Sequence, residues 1–313
     1  MITRTGRDSL ERQERPAAIA IGTFDGVHKG HRALISRTIE YAKEHDMVST
    51  VLTWDRHPSE TVRPDSVPLQ LATIERKSEL IKAGGVDQLV ILEFDETLAK
   101  WTPDEFARKV LAEGLGAGAV FVGKDWRFGH KAKGDVELLT QLGRELGFEV
   151  EGVTLDEVAG GPASSTRVRK ALANGDLEFV SVLLGRPFDV DGKVIKGDGR
   201  GAGLGWPTAN IATPGGYAHP PRGVYAGRAR ARGQWYPAAI NVGVNPTFGG
   251  EEGVTPMRIE AYLLDFDDDL YGENIRLEWH KRLRDERKFD DIDELIKQIA
   301  QDVADTRELT EAG

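Results

Sequence analysis

The chain has no cysteine in 313 residues. That absence excludes disulfides, iron–sulfur clusters, thiolate zinc sites and cysteine nucleophiles, and it fits a reducing compartment. No apolar run approaches the ~18 residues of a membrane-spanning helix. The first residues, MITRTGRDSLERQERP, lack the apolar stretch of a secretory signal. The expectation is a soluble, cytoplasmic protein without a membrane partner. Cations are in deficit: Lys+Arg number 41 and Asp+Glu 51, a net charge of −10. A nucleic-acid surface is therefore disfavoured, and an anionic ligand must be met by local donors. Repeats and low-complexity tracts are also missing. What remains is ordinary globular composition, 40% hydrophobic and 29% charged. The length suits two domains of ~150 residues, each able to bury its own core. A homo-oligomer is compatible with this composition but not indicated by it.

Short apolar runs alternate with helical periodicity in the first half. Ala17–Ile21, Val48–Trp54, Gln88–Leu92, Ala119–Val122 and Phe148–Val153 read as strands. Stretches of about Gly30–Glu44, Ile74–Ala83, Pro103–Leu111 and Val136–Leu146 read as helices. Thr73 and Thr102 stand where N-caps belong, and Pro103 at a first helical position. Such alternation predicts βαβ units, a parallel sheet and a Rossmann-like domain, with ligands at the carboxyl ends of the strands. Two short helices, Thr166–Ala173 and Leu177–Leu184, close this half. Glycine, proline and short strands then take over: Val190–Ile195, Gly223–Arg230, Tyr236–Val242, Arg258–Leu264 and Ile275–Trp279, followed by one helix over about Ile292–Thr306. This pattern predicts a small antiparallel β-barrel with a terminal helix. The expected domains are 1–186 and 187–313.

Four segments of the first half carry chemistry. Gly22-Thr23-Phe24-Asp25-Gly26-Val27-His28-Lys29-Gly30-His31 follows the first apolar strand and opens a helix. Its glycines permit a tight turn and close approach to a ligand. Free N–H groups at a helix start favour an anion, and His28 and His31, three apart, share a helical face. The same segment also reads as a structural turn with a surface histidine pair. A zinc reading is weaker, because no third ligand is nominated. Thr53-Trp54-Asp55-Arg56-His57-Pro58 follows another strand and reads as a turn. Val122-Gly123-Lys124-Asp125-Trp126-Arg127-Phe128-Gly129 offers a carboxylate, a cation and two rings, which read either as faces suited to a planar ligand or as a Trp and a Phe packing under a loop. Ser164-Ser165-Thr166-Arg167-Val168-Arg169 sets hydroxyls before a helix and arginines in its first turn. The helix dipole disfavours cations there, and a bound anion would offset the conflict.

In the second half, Gly197-Asp198-Gly199-Arg200-Gly201-Ala202-Gly203-Leu204-Gly205-Trp206-Pro207-Thr208-Ala209-Asn210 reads as a glycine loop able to wrap phosphates. It lacks the Gly-Lys-Ser/Thr ending of a Walker A loop. Thr208 and Asn210 supply oxygens of the kind Mg²⁺ takes. Asn241-Val-Gly-Val-Asn245-Pro-Thr-Phe reads as a strand and turn. Alternation puts Arg258, Glu260, Tyr262 and Leu264 on one strand face. The acidic run Asp265–Asp269 lacks the glycine and terminal glutamate of an EF-hand and reads as a solvated turn. The basic run Lys281–Lys288 is interleaved with acids and reads as a solvated face.

Taken together, these segments resemble one family. His28-x-Gly30-His31 with Ser-Ser-Thr-x-Val-Arg169 resembles the nucleotidyltransferase superfamily. The full Gly-Thr-Phe-Asp-Gly-Val-His-Lys-Gly-His and Val-Gly-Lys-Asp-Trp-Arg-Phe-Gly segments resemble the adenylyltransferase module of bacterial bifunctional riboflavin kinase/FAD synthetases. Trp126 and Trp54 stand where phenylalanine is usual. Gly-x-x-Leu-Gly-x-Pro-Thr-Ala-Asn, Gly223-Val-Tyr225, Asn-Val-Gly-x-Asn-Pro-Thr-Phe, and Asp269-Leu-Tyr271-Gly with Leu283-Arg284-x-Glu286-x-Lys288-Phe289 resemble the riboflavin kinase module. The resemblance runs from Gly22 to about Thr306.

It implies two activities, phosphorylation of riboflavin to FMN and adenylylation of FMN to FAD, with ATP and flavins as substrates and Mg²⁺ as cofactor. It implies that Gly22, Thr23, Phe24, Asp25, Gly26, His28, His31, Ser164, Ser165, Thr166 and Arg169 meet ATP and its phosphates. His57, Pro58, Asp125, Trp126, Arg127 and Phe128 would lie near ATP or flavin. In the kinase module it implies Gly197, Gly199, Gly201, Gly205, Pro207, Thr208, Asn210, Asn245 and Arg284 at the substrates. Thr208 and Asn210 would be at Mg²⁺, with Glu260 as general base. A different phosphate acceptor, or a non-catalytic flavin-binding regulator on the same scaffold, is the alternative.

Overall fold

The computed structural model describes residues 1–154, 157–197, 205–244 and 257–311. It divides into two compact units, Met1–Ser165 and Thr166–Gly313. Gly199, Gly201 and Asn245 lie outside the described residues.

The first unit runs β1 (Ile2–Thr5), β2 (Ala17–Ile21), α1 (Lys29–Glu44), β3 (Val48–Trp54), α2 (Pro58–Val62), α3 (Ile74–Ala83), β4 (Gln88–Leu92), α4 (Glu96–Ala99) and α5 (Pro103–Phe106). A π-helical stretch over Ala107–Gly114 extends α5, and β5 (Ala117–Gly123), α6 (Val136–Leu146) and β6 (Glu149–Val153) follow. The six strands form one sheet in the order β1-β4-β3-β2-β5-β6, and every pairing is parallel. Every residue of β2 is buried, as expected of a strand covered on both faces. Its alternate residues serve two cores. Ala17, Ile19 and Ile21 pack with Phe106, Val110 and Leu139. Ala18 and Ala20 pack with Leu34, Ile35, Ile39 and Ile81 from α1 and α3. Strand order reverses between β2 and β5, and ligands of doubly wound sheets bind outside such a switch point. The loops after β2 and β5 are the ones holding Gly22–His28 and Asp125–Phe128.

The sequence pattern misses three elements here. β1 adds a parallel edge strand on β4, with Ile2 opposite Gln88. Four mostly exposed residues are too short to show a period. The turn expected at His57-Pro58 continues as α2 with Pro58 at its first position, and α4 is a single turn.

The second unit begins with α7 (Ser165–Ala173), which starts at the unit boundary, and α8 (Leu177–Leu184). It continues with β7 (Phe188–Ile195), β8 (Ala209–Ala212), β9 (Gly223–Ala231), β10 (Gln234–Val244), β11 (Met257–Leu263), β12 (Asn274–Arg284) and α9 (Ile292–Glu311). The strands close into a barrel in the order β10-β11-β8-β7-β12-β9, antiparallel at every pairing. Trp279, Tyr225 and Phe188 are its largest fully buried side chains. The α8 helix packs on β7 and β12, and α9 on β9, β10 and β12. Closure needs β8, which the sequence reading takes as the end of a glycine loop. Ala209 and Asn210 are instead paired in the ladder, opposite Ala261 and Glu260.

Candidate active sites

In the first unit, the loop after β2 is built under strain. Phe24 and Val27 have φ of 51° and 41°, and Gly26 has φ of 77°. Left-handed backbone at a branched residue is costly and persists only where the surroundings impose it. Phe24 and Val27 are 0% and 1% exposed, so packing holds them. At Gly26 a Cβ would meet Leu71 at 3.0 Å. The Asp25 carboxylate accepts the Leu71 N–H at 2.8 Å, and the Ser165 hydroxyl donates to the Asp25 carbonyl at 2.9 Å. Asp25 is buried and braces the loop from beneath.

His28 is the N-cap of α1, its Nδ1 accepting the His31 N–H at 3.3 Å. The two rings stack with centroids 3.5 Å apart, and Phe24 meets His31 edge-on. Burial, with the charges of His28 and Lys77, pushes His31 well below the ordinary histidine range. The pair stands at a helix N-terminus, where donors converge on an anion.

His57 lies on the neighbouring loop as the N-cap of α2. Its Nδ1 accepts from Ser59 N–H at 3.1 Å, and Glu60 returns a bond to the His57 N–H at 3.0 Å. That capping box fixes both the ring and the entry into α2. Burial pushes the Asp55 carboxyl up. The Arg56 guanidinium and the Phe94 N–H outweigh it and hold Asp55 below the usual carboxylate range.

Beyond the loops lies a cavity of about 810 Å³, of the size that takes a drug-sized or nucleotide-sized ligand. Thr23, Pro58, Trp54, Phe94, Phe106, Trp126 and Phe128 are among its lining residues. The rings form a chain: Trp54–Phe94 at 5.4 Å, Trp54–Phe106 at 6.1 Å, Phe106–Phe128 at 5.9 Å and Trp126–Phe128 at 4.8 Å. Trp126 and Phe128, named as stackers for a ligand, stack on each other and share the wall with Arg127. Arg127 pairs with Asp135 at 3.1 Å. Thr23 lines both this cavity and the small polar pocket holding Asp25, Asp55, His57 and Lys77.

Lys77 is the residue the motif reading misses. It is 6% exposed and donates to the carbonyls of Trp54 (2.9 Å) and Thr23 (3.2 Å) and to Thr53 Oγ1 (3.3 Å). Its signal is available in the sequence as a lysine in the apolar stripe Ile74–Lys77–Ile81. Phe94, in the loop after β4, and Phe106, at the end of α5, are missed because each is a lone ring in an otherwise ordinary stretch. Ser164 and Ser165 are half-buried in the first unit. Thr166 is exposed and Arg169 half-buried, one turn into α7 and within the second unit.

In the second unit, Asn210 on β8 faces Glu260 on β11, and Glu260 faces Asn241 on β10. Arg258, on the same face as Glu260, lies 2.7 Å from its Oε1 and donates to Asn210 Oδ1 at 3.0 Å. Gly197 lies directly over Asn210: a Cβ there would collide with the Asn210 amide. A cavity of about 490 Å³ is lined by Gly197, Pro207, Thr208, Asn210 and the Asp267–Asp269 turn. Gly205 is exposed, with φ of 91°. Arg284 is held elsewhere, in a bidentate pair with buried Asp302 of α9 at 2.7 to 3.1 Å. No cluster of three or more His, Asp or Glu suited to a metal occurs among the described residues. No described helix is long and apolar enough to cross a membrane.

Comparison with known proteins attaches activities to these two units. The FAD synthetase family model matches residues 10–167, and the riboflavin kinase family model matches residues 184–310. A Bacillus subtilis bifunctional riboflavin kinase/FMN adenylyltransferase is 36% identical over 94% of this chain and 92% of its own. The protein of that description from Escherichia coli K12 is 35% identical over 93% and 91%. A solved Streptococcus pneumoniae structure, described as a macrolide-efflux protein, superposes with a TM-score of 0.88 at 30% identity, covering 98% of this chain and 99% of that one. The chain thus belongs to the bifunctional riboflavin kinase/FMN adenylyltransferase family, phosphorylating riboflavin to FMN and adenylylating FMN to FAD.

Proposed function

We propose that adenylyl transfer is performed by the loop after β2 and the aromatic cavity beside it, and phosphoryl transfer by the mouth of the barrel. The functional division is placed at 1–186 and 187–313. The observation that carries the first assignment is Thr23, which joins the loop of His28 to the wall of the 810 Å³ cavity. A flavin ring among Trp54, Phe106 and Phe128 would hold its phosphate toward the helix start. The FMN phosphate attacks the α-phosphorus of ATP, the bond to the bridging oxygen breaks, and pyrophosphate leaves. The attacking oxygen is already anionic, so no strong base is required. His28 and His31 donate to the charge that develops as the bond breaks. Gly22–Gly26, Ser164 and Ser165 are assigned to the same phosphates. His57, Pro58, Asp125, Trp126 and Arg127 are assigned to the flavin or nucleotide.

In the barrel, Glu260 is assigned as the base that orients and deprotonates the 5′-hydroxyl of riboflavin. That oxygen attacks the γ-phosphorus of ATP, and ADP leaves. Thr208 and Asn210 both line the cavity, and their oxygens fit Mg²⁺, which favours hard donors completed by water and phosphate. The Asn210 Oδ1 accepts from Arg258 here, so the ion competes with Arg258 for that oxygen. Bound Mg²⁺ would neutralise phosphate charge. Both reactions are assigned to the cytoplasm, and self-association is left to solution sizing. The deciding experiment is purified protein with riboflavin, ATP and Mg²⁺, with flavins separated over time. FMN appearing before FAD supports both sites. Conversion of supplied FMN but not of riboflavin would remove Glu260 from its role.

A further inference from the structure

Lys77 occupies a helix position whose neighbours in the stripe, Ile74 and Ile81, are apolar. An apolar side chain there would pack without the cost of desolvating a charge. The lysine instead carries its ammonium to the carboxyl ends of two adjacent strands. Its three acceptors, the carbonyls of Thr23 and Trp54 and the hydroxyl of Thr53, match the three N–H donors of an ammonium. Thr53 Oγ1 also donates to the Thr23 carbonyl at 3.2 Å. The loop bearing His28 and the turn bearing His57 are therefore fastened to one cation. Asp25 from the first loop and Asp55 from the second stabilise that charge.

We propose that Lys77 is a positioning residue for adenylyl transfer: its ammonium locks the Thr23 carbonyl to the end of β3, so that the loop carrying His28 and His31 and the wall of the flavin cavity keep one geometry. The proposal rests on the assignment of adenylyl transfer to that loop. A neutral amine has two N–H donors and must release one of the three acceptors. Burial pushes this ammonium down from 10.5 to about 8. The charged and titratable groups around it are Asp25, His31 on α1, and Asp55, Arg56 and His57 on the turn after β3. On α3 itself Arg76 pairs with Glu79. FAD synthesis should therefore decline as pH rises through about 8, while riboflavin phosphorylation in the barrel does not follow Lys77.

The test uses the full chain as wild type, Lys77→Met, Lys77→Arg and His28→Ala, with each half-reaction assayed separately from pH 6 to 9.5. Lys77→Met is expected to lower kcat for FAD synthesis about tenfold or more, with KM for ATP changed by less than about threefold. Its riboflavin phosphorylation should match wild type, and a thermal melt that retains the transition of the first unit reports folding. Lys77→Arg keeps its charge across the range, so it should restore activity and move the alkaline limb up by about one pH unit or more. A folded Lys77→Met with wild-type FAD synthesis overturns the proposal. So does an alkaline limb that is the same in wild type and Lys77→Arg, a comparison that stands even where Lys77→Met does not fold. A slow His28→Ala beside a normal Lys77→Met overturns the role of Lys77 alone. A normal His28→Ala overturns the site assignment, and the proposal with it.

Discussion

His28 caps the helix whose first turn holds His31: Nδ1 of His28 accepts the His31 N–H at 3.3 Å, and the ring centroids lie 3.5 Å apart. With Nδ1 committed as an acceptor, a neutral His28 carries its proton on Nε2, its one remaining donor position. A capping bond thus sets the tautomer that meets the ligand. Desolvation and the nearby Lys77 ammonium push His31 well below the ordinary histidine range.

Replacing His28 should separate these two roles. His28→Ala removes both the cap and the donor. FAD synthesis is expected to fall by about 10²–10³-fold, with about 1 kcal/mol of stability lost. His28→Asn keeps a good capping side chain and should recover most of the stability without the rate. Half-reaction assays with thermal melts check this, and FMN synthesis should stay at wild-type level in both variants.

Glu260→Gln keeps the shape of the Arg258 contact and removes the base. Riboflavin phosphorylation is expected to fall by about 10²–10⁴-fold, while adenylylation of supplied FMN is unchanged. Loss of both reactions would contradict separate sites.

Lys77 also makes stability depend on pH, with a sign opposite to its effect on activity. Between its folded value of about 8 and its ordinary value of 10.5, the unfolded chain binds more protons at this group than the folded one. Stability therefore rises with pH across that window. At about 1.4 kcal/mol per unit the gap amounts to at most about 3 kcal/mol. Denaturant unfolding from pH 7.5 to 10.5 should show this rise in wild type relative to Lys77→Met. FAD synthesis should decline over the same interval.

Arg284→Met leaves the Asp302 carboxylate, which is 4% exposed, with the Gln298 amide but without the Arg284 cation. Removing one partner of a buried pair costs about 3 kcal/mol or more. The loss should appear in the melting of the second unit, and adding Asp302→Leu should reverse most of it. A raised KM for ATP that persists in the double variant would place Arg284 at the nucleotide as well.

The parallel sheet is legible from the sequence because its central strands are buried on both faces. Ala17–Ile21, Val48–Trp54 and Gln88–Leu92 are therefore apolar along most or all of their length. The terminal helix and most barrel strands are legible from period and turn residues, although α9 runs on to Glu311. β1 and β8 are not. Each has four residues, and each is a strand only because a partner, β4 or β7 and β11, is present to pair with it.

The sites divide in the same way. Gly22–His31 and Pro207–Asn210 are local strings; each by itself also reads as a structural turn or loop, and the set of motifs together carries the resemblance that implies phosphate chemistry. The absence of cysteine and the excess of acids likewise follow from composition, and with them the need for local donors. Tertiary structure alone decided what each side chain does with its polar atoms. It turned Asp25 inward to Leu71, gave Arg258 to both Glu260 and Asn210, fastened Arg284 to Asp302, and brought Lys77 from a later helix beneath the Thr23 carbonyl. A hydrogen bond needs its partner within about 3 Å. In these cases the partner comes from a different strand, loop or helix, and only the packed cores bring the two together.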